Sequence, residues 1–230
     1  WLVIAKDFVT SLGLDYQAYT TQIQPHDDMV EFAQVLQAIN AVLIDFARDC
    51  WAYISLEYLG QKAVKQEVGS SVMPHKINPI NFENAEGNLY LANALLHCLA
   101  EKLPLSRWQR DLVDSTLLRN WGSALGYCLI AYQALQQGLE KISVNAVKLE
   151  EDLLAHWEVL AEAIQTEMRA HHLPQAYEQL KTFTRGNKIT AEALQEFVKD
   201  LALPETSKQK LLALTPLTYL GYAERLAKQV

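Results

Sequence analysis

Apolar positions recur every three to four residues along most of this chain, and alternating runs with hairpin punctuation are nearly absent. Met29, Phe32, Leu36, Ile39, Leu43, Phe46, Cys50 and Tyr53 fall on one helical stripe. Few charges interrupt it, so most of that helix's circumference is expected to be buried. Asp27 or Asp28 is placed to cap its start. A polar loop over Gln61 to Ile77 follows. Asn78-Pro79 then supplies a favoured N-cap residue and a proline for the first helical position. This second helix is predicted to run to Lys102, with Pro104 breaking it. Ser106-Arg107-Trp108-Gln109 reads as a capping box that opens a third helix, and Gly138 as its stop.

After Ser143 the pattern changes to short amphipathic helices. Turn signals separate them: His171-His172-Leu173-Pro174, Arg185-Gly186-Asn187, Leu203-Pro204 and Thr215-Pro216. The predicted fold class is therefore all-α. Residues 1–140 form part of a long-helix bundle, and residues 141–230 a small all-helical C-terminal domain. Three long helices that are apolar over most of their circumference need further helices to cover them, so a homo-oligomer is expected. The longest charge-free stretch, Asn120 to Leu139, holds Asn120, Ser123, Gln133, Gln136 and Gln137. That polarity favours a helix buried in a bundle over a membrane span.

Composition narrows the function classes. Half of the 230 residues are hydrophobic and a fifth are charged, which is ordinary for a globular chain. The net charge of −7 argues against non-specific nucleic-acid binding. Three cysteines, Cys50, Cys98 and Cys128, stand far apart in apolar runs and read as buried, reduced thiols of a cytoplasmic protein. The chain opens Trp1-Leu2-Val3-Ile4-Ala5-Lys6 with neither an initiating Met nor a basic leader, which reads as a start inside a helix and so as a fragment.

Candidate chemistry concentrates in Gly69-Ser70-Ser71-Val72-Met73-Pro74-His75-Lys76-Ile77-Asn78-Pro79, continuing to Phe82-Glu83-Asn84. A Gly-Ser-Ser loop feeding a helix N-terminus suits an anion, with Lys76 adding charge and Asn78 a donor. Spacing alone leaves open a capped helix behind a solvated loop. A second cluster holds Arg107, Arg110, Asp111, Asp114, Ser115, Thr116 and Arg119. Arginines beside hydroxyls are good phosphate ligands. The same spacing equally fits i,i+4 ion pairs such as Arg110 with Asp114. In Thr20-Thr21-Gln22-Ile23-Gln24-Pro25-His26-Asp27-Asp28, a histidine beside two aspartates raises the question of a metal. No second histidine or cysteine completes a set, and none is expected. His171-His172 reads as a helix C-terminus.

The Gly69–Pro79 run resembles the signature loop of the fumarase/aspartase superfamily, whose members eliminate fumarate from succinyl-bearing substrates. His75 is the residue that the adenylosuccinate lyases carry at this position. The continuation Phe82-Glu83-Asn84-Ala85-Glu86-Gly87-Asn88, the runs Ser106–Asp111 and Asp114-Ser115-Thr116, and Thr20-Thr21-Gln22-Ile23 resemble the bacterial branch of that family. The similarity covers essentially the whole chain and matches the second half of the family's length.

The resemblance implies a β-elimination in purine synthesis: adenylosuccinate to AMP and fumarate, and the succinylated aminoimidazole carboxamide ribotide (SAICAR) to the free carboxamide. It implies no metal and no organic cofactor. By motif, Ser70 is the base, Lys76 and Asn78 hold the substrate carboxylate, and Glu83 orients Lys76 or a site histidine. Gln22, Ser71 and Asn84 match substrate-contacting positions. Arg110, Ser115, Thr116 and Arg119 match positions around the nucleotide and its phosphate. The family is a homotetramer around a central helix bundle, with each active site shared by three subunits. Its general-acid histidine has no counterpart among the six histidines here, so the chain alone is expected to be inactive. Other readings are another lyase or a cycloisomerase of the superfamily, and a non-catalytic helical assembly module.

Overall fold

The computed structural model describes residues 1–62, 78–186 and 189–229. The chain divides into two compact units, Trp1–Val144 and Asn145–Val230. The first carries α1 (Leu2–Ser11), α2 (Asp27–Ser55), β1 (Leu59–Gln61), α3 (Ile80–Lys102), α4 (Val113–Leu118), α5 (Trp121–Lys141) and β2 (Ile142–Val144).

Helix α3 is the centre of this unit, with α2 and α5 packed along it. It buries Phe82, Ala85, Leu89, Ala92, Leu96 and Leu99, one face repeating every three to four residues. Small side chains meet that face: Ala33 and Ala47 from α2, Ala124, Ala131 and Ala134 from α5. Gly138 completes the fit. A Cβ there would lie 2.9 Å from the Phe82 ring, so the position requires glycine for close approach. Gly138 is therefore a packing residue inside α5, which runs three residues past the stop predicted from it.

A polar network crosses the apolar core. Asn40 donates to the Asn93 side chain at 2.8 Å, and the Tyr132 hydroxyl donates to Asn40 Oδ1 at 2.7 Å. Asn40 Nδ2 also lies 3.4 Å from Cys128 Sγ. Burial, then the neighbouring Cys128, pushes the Tyr132 phenol up to about 12. By length and composition α2 meets the criterion for a membrane span, but it places Asn40 in this network and pairs Arg48 with Glu86 at 3.2 Å. Both features suit a bundle helix.

Several local expectations are corrected. His26, with φ 66°, stands at the N-cap of α2, and Asp27 and Asp28 lie in its first turn. Pro79 occupies the N-cap of α3, one residue later than predicted. The predicted third helix is broken, since the Asn120 amide donates to the Thr116 carbonyl at 3.1 Å and competes with the helical ladder. The circumference of α2 is mostly exposed: Ala33, Asn40, Ala47 and Cys50 are its buried residues, while Val42 is 69% and Phe32 51% accessible. Among the described residues α3 alone packs along its length, which leaves the outer stripe uncovered. Cys98 is exposed, whereas Cys50 and Cys128 are buried. Among the described residues there is one two-stranded sheet, with Gly60 opposite Ser143. Strands of three residues are too short to show alternation in the sequence.

The second unit holds α6 (Ala146–Ala155), a 3-10 turn (Trp157–Leu160), α7 (Ala161–Ala170), α8 (Ala176–Thr184), α9 (Ala191–Asp200), α10 (Glu205–Leu212) and α11 (Ala223–Ala227). Ile164, Met168, Leu180, Leu194, Val198 and Leu211 share one core, and Phe183 stacks on Phe197 at 4.5 Å. His171 is the C-cap of α7. Thr215-Pro216 opens a single turn in which Thr215 and Thr218 cap each other's backbone N–H at 2.9 and 3.2 Å.

Candidate active site

The sequence-predicted site residues Ser70, Ser71 and Lys76 lie outside the described residues. All the others belong to the first unit, in two groups.

The first group gathers where α2 begins. Lys102 ends α3, and the chain from Ser106 to Val113 forms a turn locked by two side chains. Ser106 Oγ accepts from the Asp111 backbone N–H at 2.9 Å, and the Asp111 carboxylate accepts from the backbone N–H groups of Val113 and Arg107. These bonds, led by Val113, hold the Asp111 carboxyl below the usual carboxylate range. Ser106 thus caps a turn, and the predicted capping box with Gln109 is not formed. Gln109 offers its backbone carbonyl to the Gln22 N–H at 3.2 Å, which ties the Thr20–His26 segment to the arginine segment. Arg107 pairs with Asp111 at 3.1 Å and Arg110 with Asp114 at 3.2 Å. The i,i+4 pairing open to the sequence is therefore made. Ser115 and Thr116 follow on α4, and Arg119 is its C-cap. Gln22, Arg110, Thr116 and Arg119 are exposed.

His26 joins this group without a local signature. Its Nε2 stands 3.9 Å from Asp114 Oδ2, and both side chains are close to nine-tenths buried. The two residues are 88 positions apart, whereas a metal set with Asp27 and Asp28 would involve only neighbours of His26.

The second group lies at the other end of α2. Glu83 and Asn84 open α3, preceded by Asn78. Glu83 Oε1 accepts from the Trp51 indole N–H at 3.0 Å, another long-range pairing without a local signature. Asn84 receives the Asn88 amide at 2.8 Å and, with Asn81, Gln133 and Gln137, lines a cavity of about 310 Å³ between α3 and α5. Lys62, at the same end, donates its N–H to the Lys141 carbonyl at 2.9 Å. The structure does not bring the two groups together: about 35 Å of α2 separates His26 from Trp51, at roughly 1.5 Å per residue. A nucleotide-sized molecule cannot touch Glu83 and Arg110 of one chain at once.

Comparison with known proteins decides the family. The family model for the adenylosuccinate lyase C-terminal region matches residues 106–220, half of the chain. The chain belongs to the adenylosuccinate lyase family. A broader lyase model matches residues 3–93. The adenylosuccinate lyase of Legionella pneumophila (strain Corby) is 55% identical over 228 residues, 99% of this chain and 50% of that protein. That of Escherichia coli (strain K12) is 52% identical over 223 residues, 97% and 49%. The chain thus spans about half the length of these curated relatives. Among solved structures, the 3-carboxy-cis,cis-muconate lactonizing enzyme of Pseudomonas putida superposes with a TM-score of 0.65 at 25% identity, covering 98% of this chain and 52% of that one. A fumarate lyase, delta crystallin, from Brucella melitensis, at TM-score 0.61 and 18% identity, shares the helical fold.

Proposed function

We propose that this chain acts as the C-terminal half of an adenylosuccinate lyase. That enzyme eliminates fumarate from adenylosuccinate, giving AMP, and from SAICAR, giving the free carboxamide. The observation that carries the reading is identity of more than half to adenylosuccinate lyases along nearly the whole chain.

In this reading Ser70 acts as its alkoxide, stabilised by Lys76 and the loop's backbone donors, and takes a proton from the carbon beside a substrate carboxylate to become the hydroxyl. Lys76 and Asn78 hold that carboxylate as its charge grows into an aci-carboxylate. Ser71, Gln22 and Asn84 contact the substrate. Arg110, Ser115, Thr116 and Arg119 hold the nucleotide and its phosphate, a role for which guanidinium groups beside hydroxyls are well matched. Glu83 is a positioning residue, itself held by Trp51. The leaving nitrogen takes its proton from a general acid supplied by the rest of the protein, and no metal or organic cofactor takes part.

Two features support a homotetramer whose sites are shared between subunits. One is the length of α2 between the Arg110 and Glu83 groups. The other is the exposed apolar stripe of α2, including Phe32, Val35, Ile39, Val42 and Phe46. The protein is assigned to the cytoplasm.

The test is turnover of adenylosuccinate by the full-length protein carrying this segment. Turnover is expected, and Ser70→Ala is expected to remove most of it. Near-normal turnover in that variant excludes Ser70 as the base. Lactonisation of a carboxymuconate with no fumarate release overturns the lyase reading in favour of a cycloisomerase. Stable assembly with neither activity favours a helical scaffold.

A further inference from the structure

Three local costs meet within a few ångströms of Arg110. The Asp114 carboxylate is nine-tenths buried, and its Oδ1 has no hydrogen-bond partner among the described residues. His26 Nε2, also buried, has none either. His26 further holds a left-handed backbone, φ 66°, which non-glycine residues adopt at a cost. That conformation is fixed from outside: the His26 N–H donates to Gln24 Oε1 at 2.5 Å, and Gln24 in turn donates to Asp28 at 3.0 Å. His26 and Asp114 both face a cavity of about 130 Å³, lined also by Gln24, Leu103, Ser106 and Trp108. Folds keep unpartnered buried polar groups and strained backbone where a site needs them.

The group that these costs serve is the guanidinium. Asp114 Oδ2 lies 3.2 Å from Arg110 Nη2 and 3.9 Å from His26 Nε2, so one buried oxygen stands between the two. The arginine side chain remains 30% accessible. An arginine bound at one nitrogen to a buried carboxylate loses part of its freedom of rotamer before any ligand arrives. Four of its five N–H donors stay available. Pre-ordering of this kind strengthens binding by lowering the entropy lost on association. His26 sits on the segment that carries Gln22, and Gln22 is tied to Gln109 beside Arg110. The imidazole therefore packs beside the carboxylate from the other segment of the same junction.

We infer that Asp114, buried beside His26, is a positioning residue that presets Arg110 for the substrate phosphate. The inference rests on the proposed role of Arg110 and adds a second pair of residues acting through it.

The experiment measures binding of AMP and of adenosine to the full-length protein by calorimetry, for the wild type, Asp114→Asn, Arg110→Ala and the double variant. Asparagine keeps the volume of Asp114 and removes its charge. Asp114→Asn is expected to weaken AMP about tenfold, the scale of a lost charged hydrogen bond, and to leave adenosine unchanged. In the Arg110→Ala background the same substitution is expected to add no further loss, because its effect passes through Arg110. Equal weakening of AMP and adenosine, or an undiminished effect without Arg110, makes Asp114 a structural charge and overturns the inference. Should Asp114→Asn fail to fold, His26→Gln is read in the same way. A selective loss of AMP affinity supports the inference, and an equal loss overturns it. If Arg110→Ala leaves AMP binding unchanged, the phosphate role of Arg110 falls and this inference with it. Turnover of adenylosuccinate by the wild type then reports separately on the lyase reading.

Discussion

In the unit Asn145–Val230 helices α7 to α10 pack their apolar faces against one another, whereas the unit Trp1–Val144 leaves a stripe of its longest helix exposed. In the second unit Ile164, Met168, Leu194 and Val198 are all nearly inaccessible. In the first, α3 buries one face, but Phe32, Val42 and Trp51 of α2 remain open. The difference shows where each unit finds its stability. The small domain closes its own core. The long helices leave an apolar stripe that the proposed assembly would cover.

Core truncation is expected to give the largest effect. Met168→Ala should cost the second unit about 2–5 kcal/mol, read by urea unfolding, because it opens a cavity in a closed core. On the outer stripe of α2, Val42→Ser should change the stability of the isolated chain by less than about 0.5 kcal/mol, yet weaken assembly of the full-length protein in sedimentation. If Val42→Ser destabilises the chain as much as a core change does, the contrast between the units is wrong. Next comes Gly138→Ala, which drives a methyl group into the Phe82 ring. A loss of about 1–3 kcal/mol is expected, confined to the first unit in hydrogen exchange.

The smallest expected effect is in acid. Asp111 in the first unit is held low first by the Val113 N–H, and Glu167 in the second first by the Ser207 hydroxyl. For a carboxyl depressed by folding, the stabilisation is present above its unfolded value, near 4, and disappears as pH falls through the lower folded value. Asp111→Asn and Glu167→Gln should each flatten the acid limb of their own unit's stability profile and leave the other's unchanged.

Sequence periodicity exposed the three long helices and the change to short amphipathic ones, because both follow from which faces are apolar. The second unit's caps are equally local: Asn145 accepts from the Lys148 N–H and Thr190 from the Ala193 N–H. The breaks were less legible. Asn120 interrupts a helix through one side-chain bond, and Gly138, read as a stop, serves Phe82 from another helix. The candidate site divides in the same way. Its motif residues could be named from the chain, but His26 on Asp114 and Trp51 on Glu83 join positions 88 and 32 residues apart. Such pairs leave no spacing to detect. The distance between the two groups likewise emerges only once α2 is drawn at its length.

That distance makes the central claim testable in one measurement. Full-length Glu83→Gln and Arg110→Ala proteins, each impaired, are unfolded together, refolded as a mixture and assayed for adenylosuccinate cleavage. If the Glu83 group of one subunit completes the Arg110 group of another, some sites in the mixed assemblies carry neither substitution. Turnover then rises above that of either parent. A mixture no more active than its parents would contradict a site shared between subunits.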